Sequence, residues 1–131
     1  MEKELLKFKE IKDFNKNTNV LSQESGVYIF IANKNIPRLV GSSPILKIGE
    51  TSFLKSRMKR YFNQSLEELS LLAKRKTAYR FRSYVDKHAA DDVRLLFKPT
   101  AEKDLKEEEK RLLKIYFEEH FEVPPLNMSL K

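Results

Sequence analysis

Stretches rich in apolar and β-branched residues predict the strands of a small sheet. Residues 27–31 are apolar at every position, which is typical of a central strand that is covered on both faces. Shorter or alternating stretches predict three more strands, at 45–48, 79–85 and 93–98. Between the first two strands, residues 33–43 contain Pro37 and Gly41 and predict a long hairpin connection.

Apolar residues that are spaced three and four apart predict helices in the rest of the chain. These helices cover residues 2–13, 52–63, 65–76 and 101–120. Ser52, Ser65 and Thr100 stand at positions where a side-chain cap favours the start of a helix. The first helix belongs to an N-terminal helical extension over residues 1–20.

The composition is that of an ordinary globular domain. With 131 residues, of which 40% are hydrophobic and 34% charged, we expect one core and a single domain over residues 1–131. No stretch approaches the ~20 apolar residues that span a bilayer, and the first residues lack the layout of a secretory signal. Cysteine is absent, which excludes disulfides and thiolate metal ligands. These features predict a cytoplasmic protein without a membrane segment.

The positive charge is concentrated in one part of the sequence. The chain carries a formal net charge of +7, and residues 47–82 contain ten basic residues against three acidic ones. Aromatic residues lie among these cations, at positions 61, 62, 79 and 81. This arrangement is typical of a surface that binds nucleic acid, because neutralising phosphates releases counterions. A solvated basic face without a partner, or one that meets an anionic membrane, has the same charge pattern.

Arg57 and Tyr61 stand four residues apart on a predicted helix, so their side chains share one face of it. A guanidinium is always charged and its donors fit the oxygens of a phosphate. Arg57 is therefore a candidate for stabilising charge on a phosphoryl group. The alternative is an exposed arginine in a helix that already carries three other cations.

Two glutamates interrupt the apolar stripe of the long predicted helix. Leu105, Leu112 and Tyr116 define the stripe, and Glu108 and Glu109 fall among them at three- and four-residue steps. A carboxylate on the core side of a helix needs a partner, because burying an unpaired charge is costly. One of the two is therefore a candidate ligand for a hard cation such as magnesium or manganese, unless the stripe drifts and both stay in water.

Two short motifs in the first pair of predicted strands resemble those of the GIY-YIG nucleases. Gly26-Val27-Tyr28 is similar to the first motif of this family. Lys47-Ile48-Gly49 is similar to the second motif, with Lys47 in the place of its tyrosine, as in other branches of the superfamily. The residues that follow, through Arg57, resemble the turn and helix after the second motif.

The resemblance continues through the long helix, so that it covers residues 26–127. Glu109 matches the glutamate that holds the metal in the family, which favours it over Glu108. Pro124-Pro125-Leu126-Asn127 is similar to the family's terminal segment.

This resemblance implies an α+β fold in which a small central antiparallel sheet of about three strands is flanked by helices. It also implies a divalent-metal-dependent endonuclease that hydrolyses the phosphodiester bonds of nucleic acid, with DNA as the expected substrate. One Mg²⁺ or Mn²⁺ ion is expected on Glu109, where it acts as a Lewis acid on the phosphate. Arg57 is expected to stabilise the phosphorus centre.

The resemblance gives roles to further residues. Tyr28 or a metal-linked water takes the proton from the attacking water, and Tyr61 orients that water or a phosphate oxygen. Lys47 either binds a phosphate or, if its amine is desolvated, acts as the general base. Asn127 is expected to anchor the chain end beside the site and to belong to the nucleic-acid-binding surface. The cations of that surface are Lys55, Lys59, Arg60, Lys74, Arg75 and Lys76.

Two other classes of function stay open. A module of the same fold that has lost catalysis binds nucleic acid and gives no product. A small interaction protein uses its basic surface for an acidic partner or a membrane. A nuclease domain of this size also leaves room for a protein partner that directs it to its target.

Overall fold

The computed structural model describes residues 1–14, 16–62, 76–88 and 92–127. Within them the helices are α1 (Glu2–Leu5), α2 (Leu54–Phe62), α3 (Lys76–His88) and α4 (Leu105–His120). The strands are β1 (Lys9–Ile11), β2 (Gly26–Pro37), β3 (Ser42–Thr51) and β4 (Arg94–Pro99), and 3-10 turns cover Thr18–Val20 and Glu102–Asp104. The predicted helix over 65–76 lies outside the described residues except for its last residue. None of the described helices has the length and apolar character that crossing a bilayer requires.

The strands form one antiparallel sheet in the order β1-β4-β2-β3. β2 lies between β4 and β3, so that Tyr28 is paired with Phe97 on one side and with Gly49 on the other. The predicted α+β fold, with a small antiparallel sheet flanked by helices, is confirmed. The described sheet has four strands rather than about three, because β1 extends it along the free edge of β4.

β2 is buried on both faces, as its continuous apolar sequence predicted. Side chains alternate along a strand, so its residues divide between two cores. The core under α2 and α3 receives Tyr28, Phe30 and Ala32, and the core under α4 receives Val27, Ile29 and Ile31. Fully burying a side chain of the size of valine or phenylalanine contributes about 1.5–3 kcal/mol to folding. Because the side chains of β2 are buried in both cores, this strand contributes to the stability of each.

The N-terminal segment differs from the predicted helix over 2–13 and from the predicted helical extension over 1–20. Helix α1 ends at Leu5, and the strand β1 then pairs with β4. Leu5 and Phe8 pack against the core under α4, whereas Ile11 packs against the core under α2 and α3. These apolar residues face two different cores, which is why one helix cannot hold them all.

The predicted strand over 79–85 is wrong, because these residues lie in helix α3. Ala78, Phe81 and Val85 are buried at three- and four-residue spacing, and Tyr79 is exposed. The same stretch also alternates between apolar and polar residues, so its sequence fits both periods. The helix is favoured because it buries its apolar stripe against α2 and the sheet.

The hairpin connection is much shorter than the predicted 33–43. β2 continues to Pro37 and β3 begins at Ser42, and these two residues are paired. The turn between them contains Gly41, whose positive φ of 70° glycine adopts without strain. Both strands of the hairpin are therefore long, and β3 presents a long edge.

The predicted caps Ser52 and Thr100 are also wrong. The Ser52 hydroxyl donates to Glu102 at 3.0 Å, and the Thr100 hydroxyl donates to the carbonyl of Lys98 at 3.1 Å. The preceding loop instead satisfies the first amides of α2: Leu54 N donates to Glu24 O at 3.0 Å, Lys55 N to Ser22 O at 3.2 Å and Ser56 N to Gln23 Oε1 at 3.0 Å. Contacts from an earlier part of the chain therefore replace a local side-chain cap.

Candidate active site

The first motif places Tyr28 in the middle of the sheet, with its side chain 1% exposed. A Cβ atom at Gly49 would lie 2.4 Å from the Tyr28 hydroxyl oxygen, so glycine is required there. A Cβ atom at Gly26 would lie 2.4 Å from the carbonyl oxygen of Lys98. Gly49 therefore allows close packing on Tyr28, and Gly26 allows the close approach of β4 to β2.

Tyr28, Tyr61 and Arg57 form a hydrogen-bonded group between β2 and α2. The hydroxyl oxygens of Tyr28 and Tyr61 are 3.0 Å apart, and Arg57 Nη1 donates to the Tyr28 hydroxyl at 3.5 Å. Tyr61 is buried, and its ring centroid lies 4.9 Å from that of Phe81. The sequence placed Arg57 and Tyr61 on one helix face, and the structure brings that face to Tyr28.

Burial keeps both tyrosines protonated. It raises the pKa of Tyr28, although the charge of Arg57 acts in the opposite direction. It also raises the pKa of Tyr61 well above its usual value, and the neighbouring Tyr28 adds to this effect. Both side chains are therefore neutral phenols at physiological pH, and they act through hydrogen bonds rather than as anions.

Lys47 lies on β3 opposite Phe30, next to an irregularity in the pairing of β2 with β3. The register shifts between Phe30 and Ile31, which leaves Leu46 without a partner residue on β2. Such bulges redirect the side chains beside them and are common near active sites. The Lys47 side chain is only 8% exposed, which is unusual for a lysine.

The surroundings of Lys47 change its protonation. Burial lowers its pKa to about 8, and the charge of Glu109 opposes this shift. The positive charges of Arg57 and Arg80 lower the pKa further. A substantial fraction of the Lys47 amine is therefore neutral near pH 8, and a neutral amine can accept a proton.

Glu109 lies in the first half of α4, is half-buried, and forms no ion pair with any described residue. Burial raises its pKa, and the nearby carboxylate of Glu50 raises it further. Lys47, the backbone of Glu50 and Arg57 lower it. The charges of Lys47 on β3 and Arg57 on α2 therefore act on Glu109 of α4.

Glu108, the other candidate ligand, is held in ion pairs. Arg111 Nε lies 2.5 Å from its Oε1, and the Lys98 amine contacts its Oε2. The hydrogen bonds from Arg111 and Lys98 outweigh burial and lower the pKa of Glu108 to about 2. Of the two neighbouring glutamates, Glu109 is the one whose carboxylate is available to a ligand.

The site offers a hard cation the carboxylates of Glu109 and Glu50. Glu50 follows Gly49 on β3 and is paired with Val27, so its side chain starts on the face of the sheet that α4 covers. The described part of the chain contains no group of three or more acidic, histidine or cysteine residues that could hold a metal. Magnesium is commonly held by one or two carboxylates, with water and substrate phosphate completing its coordination. The donor set therefore fits a magnesium or manganese ion that shares its coordination with a phosphate.

Asn127 covers the free edge of β3. Its Oδ1 accepts from Ile48 N at 2.9 Å and its Nδ2 donates to Ile48 O at 2.8 Å, while Leu126 N donates to Leu46 O at 2.9 Å. Asn127 thus anchors this segment beside the site, as the resemblance implied. The expectation that it also contacts nucleic acid needs correction, because the side chain is buried and its oxygen and nitrogen both bond to Ile48.

The predicted nucleic-acid-binding cations divide into two groups. Lys59 and Arg60 are exposed on α2, and Lys55 is half-buried on the same helix, which also carries Arg57. Residues 74 and 75 lie outside the described residues, as does the side chain of residue 76, where α3 begins.

Two residues that the sequence did not single out also belong to this neighbourhood. Glu50 influences Glu109, and Arg80 on α3 influences Lys47. Glu50 directly follows the second motif, so strand alternation could have placed it on the side of the long helix. Arg80 could not have been placed, because its segment was interpreted as a strand.

No protein-family model, curated protein or solved structure matches this chain. Membership of the GIY-YIG nucleases therefore stays a prediction from the motifs, and the interpretation of the site depends on its own geometry.

Proposed function

We propose that the protein is a divalent-metal-dependent endonuclease of the GIY-YIG type, which hydrolyses phosphodiester bonds in DNA. The observation that carries the proposal is the hydrogen bond from Arg57 to the buried Tyr28, together with the buried Lys47 and the half-buried Glu109, whose charges act on each other. Burying Lys47 and Glu109 without a close ion pair costs stability, so the fold alone gives no reason for them. A function that neutralises phosphate charge and transfers a proton requires ionisable groups of this kind.

Arg57 supplies a fixed positive charge for the phosphate. Its guanidinium donates to the hydroxyl of Tyr28, which is itself fixed by Tyr61. Fixed donors stabilise the negative charge that builds up on a phosphoryl group during attack by water. Losing one such donor typically lowers the rate by about 10²–10³-fold.

Glu109 is the residue that would hold one Mg²⁺ or Mn²⁺ ion, which when bound supplies Lewis-acid polarisation of the phosphate and of the leaving oxygen. Glu50 supports this assignment, because its negative charge raises the pKa of Glu109. A bound cation would favour the charged form of Glu109 against the repulsion from Glu50.

Lys47 is the proton acceptor that the site favours. With a pKa of about 8, roughly one tenth of its amine is neutral at pH 7 and about half at pH 8. Tyr28 is the weaker candidate, because burial raises its pKa and keeps it a phenol. In this mechanism Tyr28 and Tyr61 position Arg57, and Lys47 accepts the proton of the attacking water.

A cytoplasmic location and a protein partner that directs the enzyme to its target belong to the same proposal. The cysteine-free composition supports a reducing compartment. The partner supplies the target selection, because the proposed contact of Arg57 with phosphate carries no base-sequence information.

Cleavage of supercoiled plasmid DNA in MgCl₂ or MnCl₂ tests the proposal. The unaltered protein should give nicked or linear DNA, and Arg57→Ala and Glu109→Gln should each lower the rate by about 10²-fold or more. Lys34→Ala, at an exposed position near the end of β2, and Glu107→Gln, two residues from Glu109, are controls at exposed positions and should cleave nearly normally. The rate should rise with pH through about 8, and this rise should be absent in Lys47→Met.

Cleavage that is unchanged when Arg57→Ala and Glu109→Gln are combined would identify the activity as a contaminant. Salt-sensitive DNA binding without product at any metal concentration would favour the module of the same fold that has lost catalysis.

A further inference from the structure

Phe53 is exposed at the start of α2, although it is a large apolar residue. Its side chain is 59% exposed. It stands directly before the first residue of the helix, where serine, threonine, aspartate or asparagine is usually preferred as a cap. Because the loop before β2 satisfies the first amides of α2, the helix does not need a polar residue at this position. Phe53 belongs to neither core of the described residues, so core packing does not explain an aromatic ring at this position.

The backbone holds Phe53 in a fixed position. Its amide donates to the Thr51 hydroxyl at 3.1 Å, and its carbonyl accepts from the amide of Arg57 at 3.0 Å. Thr51 is 3% exposed, so this turn is built on the core. An aromatic side chain on a fixed backbone has only two torsions to restrict, so it binds at a small entropic cost.

Phe53 borders the candidate active site. One helical turn separates it from Arg57, and Gly49, on which Tyr28 packs, lies shortly before it on β3. Lys55 adds a positive charge in the first turn of the same helix. Proteins that bind unpaired nucleotides combine these elements, since cations hold the backbone and an exposed ring stacks on a base.

We propose that Phe53 stacks on an unpaired base next to the phosphate that Arg57 binds. The preferred substrate is then DNA with an unpaired nucleotide, such as the junction between a duplex and a single-stranded extension. This inference rests on the proposed function, because it assumes a DNA phosphate at Arg57. In a fully paired duplex each base is stacked inside the helix, so Phe53 has no exposed base face to contact.

Binding of the full chain to two DNAs, measured by fluorescence anisotropy without divalent metal, tests the inference. One DNA is a paired duplex, and the other is the same duplex with a single-stranded extension that carries 2-aminopurine at its first unpaired position. The unaltered protein should bind the extended DNA more tightly and quench its 2-aminopurine fluorescence. Phe53→Ala should weaken binding of the extended DNA by about 5- to 100-fold, lose the quenching and leave duplex binding unchanged. Phe53→Trp should keep both effects.

Phe121→Ala is the matched control. Phe121 is 58% exposed, nearly the same as Phe53, and it follows the last residue of α4. The helix separates it from Glu109 by about 18 Å at 1.5 Å per residue. Phe121→Ala should therefore bind both DNAs and quench the fluorescence like the unaltered protein.

Equal binding of the extended DNA by Phe53→Ala and by the unaltered protein, with quenching kept, would overturn the stacking role and leave the proposed function standing. If the unaltered protein binds neither DNA, the proposed function fails and this inference fails with it.

Discussion

In the candidate site, burial disfavours the charged forms of Lys47 and Glu109. Neighbouring charges offset this effect only in part. Burial favours the neutral forms of Lys47 and Glu109, and each of them shifts the pKa of the other towards the charged form. Glu108, which two cations pair closely, is charged down to a pKa of about 2. In the proposed mechanism, this incomplete compensation leaves Lys47 able to exchange a proton and Glu109 able to take a ligand.

Replacing Lys47 by methionine should stabilise the fold at neutral pH. The pKa of Lys47 falls from 10.5 to about 8 in the folded protein, so below pH 8 its buried charge costs about 3 kcal/mol. Between pH 8 and 10.5 only the unfolded chain keeps this proton, and the stability of the unaltered protein rises with pH. Above pH 10.5 both states are neutral and the cost is absent.

Urea unfolding at pH 7 and pH 10 measures this effect. Lys47→Met should have the higher free energy of unfolding at pH 7, and its advantage should shrink at pH 10. A Lys47→Met protein that is less stable than the unaltered chain at pH 7 would contradict the account, because it would show that the buried amine is net stabilising.

The resemblance to the GIY-YIG motifs selected Tyr28 and Glu109, and helical spacing put Arg57 and Tyr61 on one face; the structure hydrogen-bonds Tyr28 to both Arg57 and Tyr61, and the charge of Arg57 acts on Glu109. The sequence could not give the pKa of Lys47, because that depends on burial by distant elements. It could not decide between Glu108 and Glu109 from spacing alone, since the partners of Glu108 come from β4 and from the next turn of α4.

Among the secondary-structure elements, β3 is an edge strand of the sheet and carries Lys47 and Gly49 of the second motif. The segment that ends at Asn127 closes this edge with hydrogen bonds at Leu46 and Ile48. The second motif therefore hydrogen-bonds to a part of the chain that lies far away in the sequence.

Asn127→Ala should destabilise the protein by about 2–3 kcal/mol, because it leaves the buried amide and carbonyl of Ile48 without partners. Asn35→Ala, at an exposed asparagine of β2, is the control and should change stability by less than about 0.5 kcal/mol. Urea unfolding of both variants measures the difference. Equal stabilities would mean that this edge does not depend on Asn127.

Helices and strands could be predicted where the spacing of the apolar residues fits only one of the two structures. The continuous apolar run of β2 and the long stripe of α4 each fit one period, and both elements are where they were expected. The sequence of α3 fits a strand and a helix equally well, and only the core under it decides. β1 depends on the free edge of β4, a contact that no local pattern shows.

For the whole molecule, the net charge of +7 predicts DNA binding that weakens as salt is added. Lys55→Ala and Lys59→Ala should each lower the slope of log K against log salt by about 1 if each residue contacts one phosphate. Lys34→Ala, at an exposed position near the end of β2, should leave the slope unchanged. Fluorescence anisotropy titrations at several salt concentrations measure the slopes, and slopes that are equal in all variants would place the DNA elsewhere on the surface.

In the proposed mechanism, one place at the end of β3 holds the metal and the phosphate together. Anomalous diffraction from crystals of the full chain, grown with MnCl₂ and a DNA that resists cleavage, measures this directly. We expect a manganese ion bonded to the Glu109 carboxylate and a DNA phosphate between that ion and Arg57. A manganese ion on Glu108, or a phosphate bound out of reach of Arg57, would contradict it.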